Sequence, residues 1–453
     1  MGVPVGRSRR LARPKEHQMS PPDDHGRRRF LQRTGLAAAA FPLIGGRTSP
    51  AATSPTRNTA GTSGDDPDRL FRDGRFAEAE HAYRRALRAD PKDAHAAARL
   101  GYIALLSNRF GTAERWLSGA IELNPKDADS KRRLAECLVR QDRHAQAIPI
   151  LEGVGTPLAK ASATQYRHLD GAPYRISGPS GTRVPFTFTD PLPVVEASVN
   201  GSAPKRFLVD TYATLDLSPD AAKELGLTAY ASVPGVAGGA PTTIHLGVLD
   251  SLRIGDIEVR NLPVQWTEGP PRPTLPDGTL PDGVFGTTLM YHFLTTMDYA
   301  RRGLVLRRRE DAPRSGGLPL WLAGDHFPCS VGGLNGGRPR MVTLDTGGIG
   351  HGLDTTVEIA ERLGIAVDRD HPVSSRNGID VYPCRPDRMS LGRATGRHVL
   401  GFAAERVFPG LPGPGLSALT GFDLIANFTH DFFKPYAVTF DYTSMRLRLT
   451  RPR

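Results

Sequence analysis

Two short segments of this chain carry the residue types for proton chemistry. Met341-Val342-Thr343-Leu344-Asp345-Thr346-Gly347-Gly348 is an apolar run that ends in a carboxylate, a hydroxyl and two glycines. Such a run predicts a buried strand entering a tight turn with Asp345 at its apex. Alone it fits an ordinary strand end, because Asp, Thr and Gly are all turn residues. Phe207-Leu208-Val209-Asp210-Thr211-Tyr212-Ala213 shows the same pattern earlier in the chain. Two carboxylates brought close cannot both ionise cheaply, so they share a proton and hold an acid beside a base. Hydrolysis through an activated water, without a metal or a nucleophilic side chain, needs that pair.

The elements that must position the two acids repeat in the same order. Each copy follows an Asn-Gly hairpin signal, Asn200-Gly201-Ser202 and Asn335-Gly336-Gly337. Each precedes a short helical run that ends Leu225-Gly226-Leu227 or Leu363-Gly364-Ile365. The stretches 294–299 and 437–442 are matching strands that close in Asp-Tyr, and Asp298 and Asp441 read as turn caps. Val284-Phe285-Gly286 is matched to Leu419-Thr420-Gly421, at the same interval that separates Asp210 from Asp345. A further hairpin has Gly255-Asp256 at its tip, with a counterpart around Met389-Ser390-Leu391-Gly392. This series predicts tandem duplication of an all-β unit, each copy supplying one Asp-Thr. Short strands at regular spacing predict two small barrel-like lobes.

A chain of 453 residues has room for about three domains. The net charge of +11 invites a nucleic-acid reading until it is located. Residues 1–60 hold eleven basic and three acidic residues, so the remainder carries only +3. No nucleic-acid partner is expected from so balanced a globular part. Three cysteines with no Cys-x-x-Cys and no His-Glu-x-x-His argue against a zinc site, and neither metal nor other cofactor is expected. Cys329 and Cys384 fall in the second lobe and are candidates for a disulfide in an oxidising compartment. Cys137 reads as repeat core. The glycine run 347–352 lacks the Lys-Ser/Thr of a phosphate loop, and His351 reads as a loop histidine rather than a ligand.

Arg27-Arg28-Arg29-Phe30-Leu31, a modest apolar stretch and then small residues form the layout of an export signal, similar to the twin-arginine type. The stretch is too short to span a bilayer, so no stable membrane span is expected after cleavage. The boundaries read as follows: 1–46 export signal to the periplasm or outside, 47–65 linker, 66–160 helical repeats, 161–312 first lobe and 313–453 second lobe. Between 66 and 160 one fixed interval relates Phe76 to Phe110, Ala79 to Ala113, Ala86 to Ala120 and Pro91 to Pro125. This resembles the tetratricopeptide repeat, in roughly two and a half copies. Such a stack offers a concave face to a protein partner, or else braces the β part.

The fold class is therefore α-helical tetratricopeptide hairpins followed by two mainly-β acid-protease-like lobes. The β part resembles the retropepsin-type aspartic proteases, and its tandem arrangement is similar to the pepsin plan. The resemblance rests on apolar-apolar-Asp-Thr-Gly, the Leu-Gly-aliphatic helix end, Val284-Phe285-Gly286 and the Thr-x-Asp-Tyr strands. It implies that Asp210 and Asp345 form a catalytic pair across the lobe interface. Thr211 and Thr346 would cross-brace the loops, with Gly347 letting the backbone turn. The hairpin at Gly255 and Asp256 would close over an extended peptide or protein substrate. One departure stands out: Tyr212 occupies the first motif's glycine position, where a strained turn costs ~1–3 kcal/mol or the loop takes another shape. The alternative reading is therefore a catalytically inactive peptide- or protein-binding scaffold of the same shape.

Overall fold

The computed structural model describes residues 66–451, apart from 238–239, 269–272, 312–315, 377 and 409, together with residues 2 and 40–42. The export-signal motif at 27–31 and the 47–65 linker lie outside the described residues. From Pro67 to Arg167 the chain forms antiparallel helices, and it continues as a mainly-β region; the short strand Ala40–Pro42 pairs antiparallel with Ala231–Ala237 of that region.

Helix starts follow the sequence closely. Asp66, Asp93, Asp127 and Thr156 each accept an N–H of the first turn, satisfying donors that the helix itself leaves free. Gly101 lets paired helices touch: a Cβ there would lie 2.6 Å from Leu117 Cγ. The helical stretch runs to Arg167 rather than ending at 160. Thr156-Pro157 starts a new helix, Pro157–Arg167, and Gln165 within it donates to the carbonyls of Gly247 (2.7 Å) and Val264 (2.9 Å).

The helix Ala94–Leu106 is buried along most of its length. Its neighbours Phe71 and Phe76 share one apolar cluster with Tyr212, Phe327, Met341 and Phe422 of the β region. Phe76 meets Phe422 and Trp321 edge to face at 5.2 and 5.4 Å. A fully buried side chain of this kind contributes about 1.5–3 kcal/mol. Arg140 adds polar anchors, donating to the carbonyls of Leu105 (3.0 Å) and Leu322 (2.9 Å). The inner face of the repeats is thus occupied by the protein's own β region.

In the β region, β1 (Lys205–Val209), β2 (Asp216–Leu217) and β3 (Gly283–Phe285) belong to a nine-stranded sheet. β4 (Arg340–Leu344), β5 (Leu353–Thr356) and β6 (Ala426–Phe428) belong to an eleven-stranded one. The registers correspond. β3 runs parallel to β1 with Phe285 opposite Val209, and antiparallel to β2 with Val284 opposite Asp216. β6 runs parallel to β4 with Phe428 opposite Leu344, and antiparallel to β5 with Asn427 opposite Asp354. A six-stranded sheet joins the halves. At its centre Leu294–Asp298 pairs antiparallel with Ala437–Asp441, and Thr296 bonds Thr439 at 2.8 Å. Asn200-Gly201 and Asn335-Gly336 both take positive φ, as a tight hairpin turn requires.

These registers correct one sequence match. The partner of Val284-Phe285-Gly286 is Asn427-Phe428-Thr429, and not Leu419-Thr420-Gly421. Gly421 instead caps a short helix and faces Arg99 and Phe71 of the repeats. The extra loop length of the second half falls before β6, so the interval that separates the two acids no longer holds there.

Candidate active site

Asp210 leaves β1 and Asp345 leaves β4 at equivalent points. The Asp210 N–H donates to Phe285 O at 3.0 Å, and the Asp345 N–H to Phe428 O at 2.8 Å. Each turn thus hangs from the parallel strand beside it, so the two carboxylates are placed by backbone rather than by side-chain choice.

The threonines lock the turns together. Thr211 N–H donates to Thr346 Oγ1 and Thr346 N–H to Thr211 Oγ1, both at 3.0 Å. Thr211 Oγ1 donates onward to Leu344 O (2.8 Å) and Thr346 Oγ1 to Val209 O (3.4 Å). Both hydroxyls are fully buried and fully used. Above this brace the carboxyls of Asp210 and Asp345 come within hydrogen-bond reach of each other. Asp210 is 1 % and Asp345 4 % exposed.

Gly347 and Tyr212 occupy equivalent places, two residues after each acid. Gly347 N–H donates to Asp345 Oδ1 and Tyr212 N–H to Asp210 Oδ1, both at 2.7 Å. A Cβ on Gly347 would lie 2.1 Å from Asp210 Oδ2, which is why only hydrogen fits there. Tyr212 keeps a negative φ, so the strain expected of a side chain at this turn does not arise. Its ring turns away from the acids into the cluster shared with the repeats, 4.8 Å from Phe327. Its hydroxyl accepts from Gly413 N–H at 3.2 Å.

The surroundings of the two acids differ more than their backbones. Asn427 Nδ2 donates to Asp345 Oδ2 (2.8 Å) and to Asp354 Oδ2 (3.0 Å), while its Oδ1 accepts from Thr343 (2.7 Å). Asp354 Oδ1 pairs with His351 Nε2 at 2.9 Å, and His351 Nδ1 faces Ile349 O at 2.9 Å. All of these side chains are buried. In the first half Asn427's place is held by Val284. Burial pushes Asp345 up to about 6, with the Asn427 bond opposing it. Burial, then the Asp345 charge, hold Asp210 well above the usual carboxylate range. Burial alone would lower His351, but Asp354 outweighs it and lifts the imidazole to about 9.

Sequence reasoning missed Asn427 and Asp354 and set His351 aside as a loop residue. The available signal was length: the turn from Asp345 to Asp354 is longer than that from Asp210 to Asp216, and the added residues include His351.

The Gly255-Asp256 turn, expected to close over the pair, lies elsewhere. Asp256 N–H donates to Thr182 Oγ1 (3.3 Å), and a Cβ on Gly255 would strike the same hydroxyl. Thr182 belongs to an edge strand of the six-stranded sheet, and Gly392 of the second half rests likewise on Leu318 at the opposite edge. These turns are hairpin ends seated on that sheet. Cys137, Cys329 and Cys384 are free and buried, so the candidate disulfide does not form. Asp298 and Asp441 accept N–H groups of the turns that follow them. Among the described residues no group of three or more His, Cys, Asp or Glu is placed to hold a metal, and no helix is long and apolar enough to cross a membrane. A cavity of about 330 Å³ lies between repeats and β region, against Arg140, His144, Tyr174, Gln265 and Tyr291; neither acid lines it.

Residues 195–289 match the family model described as aspartyl protease. Residues 68–128 and 107–154 match the tetratricopeptide repeat model. No match was found among curated proteins. Among solved structures, a mutant of the Thermobaculum terrenum O-GlcNAc transferase is similar at 22% identity over 23% of this chain, with a TM-score of 0.21. The chain spans about a fifth (21%) of the length of that structure.

Proposed function

We propose that this chain is an exported aspartic-type endopeptidase, hydrolysing peptide bonds with a water activated between Asp210 and Asp345. The observation that carries this reading is the reciprocal Thr211–Thr346 bonding beneath two carboxylates within reach of each other. The aspartyl protease match over 195–289 supports it for the first half, and the corresponding registers of β4, β5 and β6 extend it to a duplicated, two-lobed arrangement. A pair sharing one proton can take a proton from water and give one to the carbonyl oxygen. Its titration then belongs to the pair. Thr211, Thr346 and Gly347 support the pair by fixing both turns. Export rests on the leader at 27–31.

The repeats serve in this reading first as a brace. Their inner face being taken by the β region, a protein partner would meet the outer helices Phe76–Ala89 and Phe110–Leu123.

A second reading is an inactive peptide-binding scaffold. The near-complete burial of both acids and the tyrosine at 212 favour it. One experiment separates the two: turnover of a peptide library by the purified chain across pH 3–7, with and without pepstatin. Cleavage blocked by pepstatin and lost in Asp210→Asn and in Asp345→Asn supports the enzyme. Peptide binding that survives both substitutions without turnover supports the scaffold.

A further inference from the structure

Resting on the peptidase reading, we propose that His351, Asp354 and Asn427 are positioning residues that keep Asp345 the ionised member of the pair and leave the shared proton on Asp210. Asp345 is then the base towards water and Asp210 the acid towards the carbonyl oxygen.

The geometry starts at the far end. Both ring nitrogens of His351 face acceptors, a carbonyl oxygen and a carboxylate, each at 2.9 Å. A neutral imidazole has one N–H and leaves one contact without a proton; the doubly protonated ring satisfies both. His351 is therefore a buried cation paired with Asp354. The Asn427 amide is oriented by Thr343, whose hydroxyl occupies its oxygen, so its two N–H donors are directed to Asp354 and Asp345. Asp345 thus receives two donors, Gly347 N–H on Oδ1 and Asn427 on Oδ2. Asp210 receives the Tyr212 N–H, and Val284 stands where a second donor would come from. Donors to a carboxylate favour its charged form, so the negative charge settles on Asp345. The order of the two acids in their affinity for protons agrees: Asp345 near 6, Asp210 well above its ordinary range.

The other groups that act on this chain are Asp216 behind Asp210, the hydroxyls of Tyr212 and Tyr299, and the Cys384 thiol near Asp354. All lose a proton on titration, and the positive charge comes from His351.

The step balances. As water oxygen bonds the carbonyl carbon, its proton passes to Asp345 and the Asp210 proton passes to the carbonyl oxygen, giving a neutral gem-diol. When the C–N bond breaks, the proton on Asp345 moves to the leaving nitrogen. One diol hydroxyl returns its proton to Asp210, leaving acid and amine products and the starting pair.

The test is NMR titration of the full chain with ¹⁵N-histidine and ¹³Cγ-aspartate, assigned through His351→Gln and Asp345→Asn. In the unsubstituted protein both His351 nitrogens should be protonated at pH 7, and Asp345 should ionise before Asp210. Asn427→Val, which installs the first half's residue, should raise the Asp345 midpoint by about one to two pH units. Asp354→Asn should return His351 to a singly protonated ring at pH 7. A singly protonated His351 in the unsubstituted protein overturns the inference, as does an Asp345 midpoint unmoved in folded Asn427→Val. Peptide cleavage is scored on the same samples. Titrations as expected without cleavage sustain the charge assignment and sink the peptidase reading; cleavage with Asp345 unmoved sinks only this inference.

Discussion

The halves of the β region hold their acids on the same turn and in the same register, yet in different company. Behind Asp210 stand Val284 and Asp216; behind Asp345 stand Asn427, Asp354 and a buried His351. Two residues past Asp345 is a glycine pressed against the opposite carboxylate, and two past Asp210 is a tyrosine whose ring joins the apolar cluster shared with the repeats. Backbone pairing decides where the acids meet. In the proposed reading, side chains one layer back decide what each acid does there.

The largest expected effect tests whether the acids act as a unit. Asp345→Asn and Asp210→Asn should each lower peptide turnover by about 10²–10⁴-fold, and the double variant should be scarcely worse than either. Additive losses in steady-state kinetics would break the symmetry at its root. Tyr212→Ala comes next. Emptying its buried site should cost about 3–5 kcal/mol in denaturant unfolding. Gly347→Ala, the smaller change, should cost about 1–3 kcal/mol but part the carboxylates, since the added carbon would lie 2.1 Å from Asp210 Oδ2. The pair's two ionisation steps should then move closer together.

The pH dependence of stability follows from the same asymmetry. Asp345 is raised from 3.8 to about 6, and His351 from 6.5 to about 9. A group whose affinity for protons is raised by folding favours the fold below its unfolded value and loses that contribution as pH climbs through the folded one. The Tm should therefore fall in two steps, the first completed through about pH 6 and the second through about pH 9. Calorimetry on His351→Gln should show the upper step gone. The smallest effect is Tyr212→Phe, which removes the acceptor for Gly413 N–H and should cost about 1 kcal/mol.

Much of this was legible in the chain. The Asn-Gly turns, the twin Asp-Thr segments and the regular interval of the helical repeats each carry a local physical signature, and each lies where its spacing put it. What was not legible depended on alignment across a gap. Matching by glycine led to Gly421, because Thr429 has replaced the glycine that Gly286 keeps. With that match displaced, Asn427 could not be seen opposite Val284, nor His351 as more than a turn residue. The repeat interval fades before 160, so the helix that Thr156-Pro157 caps and begins lay beyond what the repeats could show. The hairpin at Gly255 has the composition of any exposed tip; only the position of Thr182 shows what it rests on.

Tyr212 sets the acid turn into the apolar cluster that the β region shares with the helices, one residue from Thr211 and two from Asp210. Shortening the protein to its β portion would bare the apolar face where Phe327, Met341 and Phe422 meet that ring. Such a fragment would aggregate before its chemistry could be assayed, and a failed assay on it would say nothing about the intact chain.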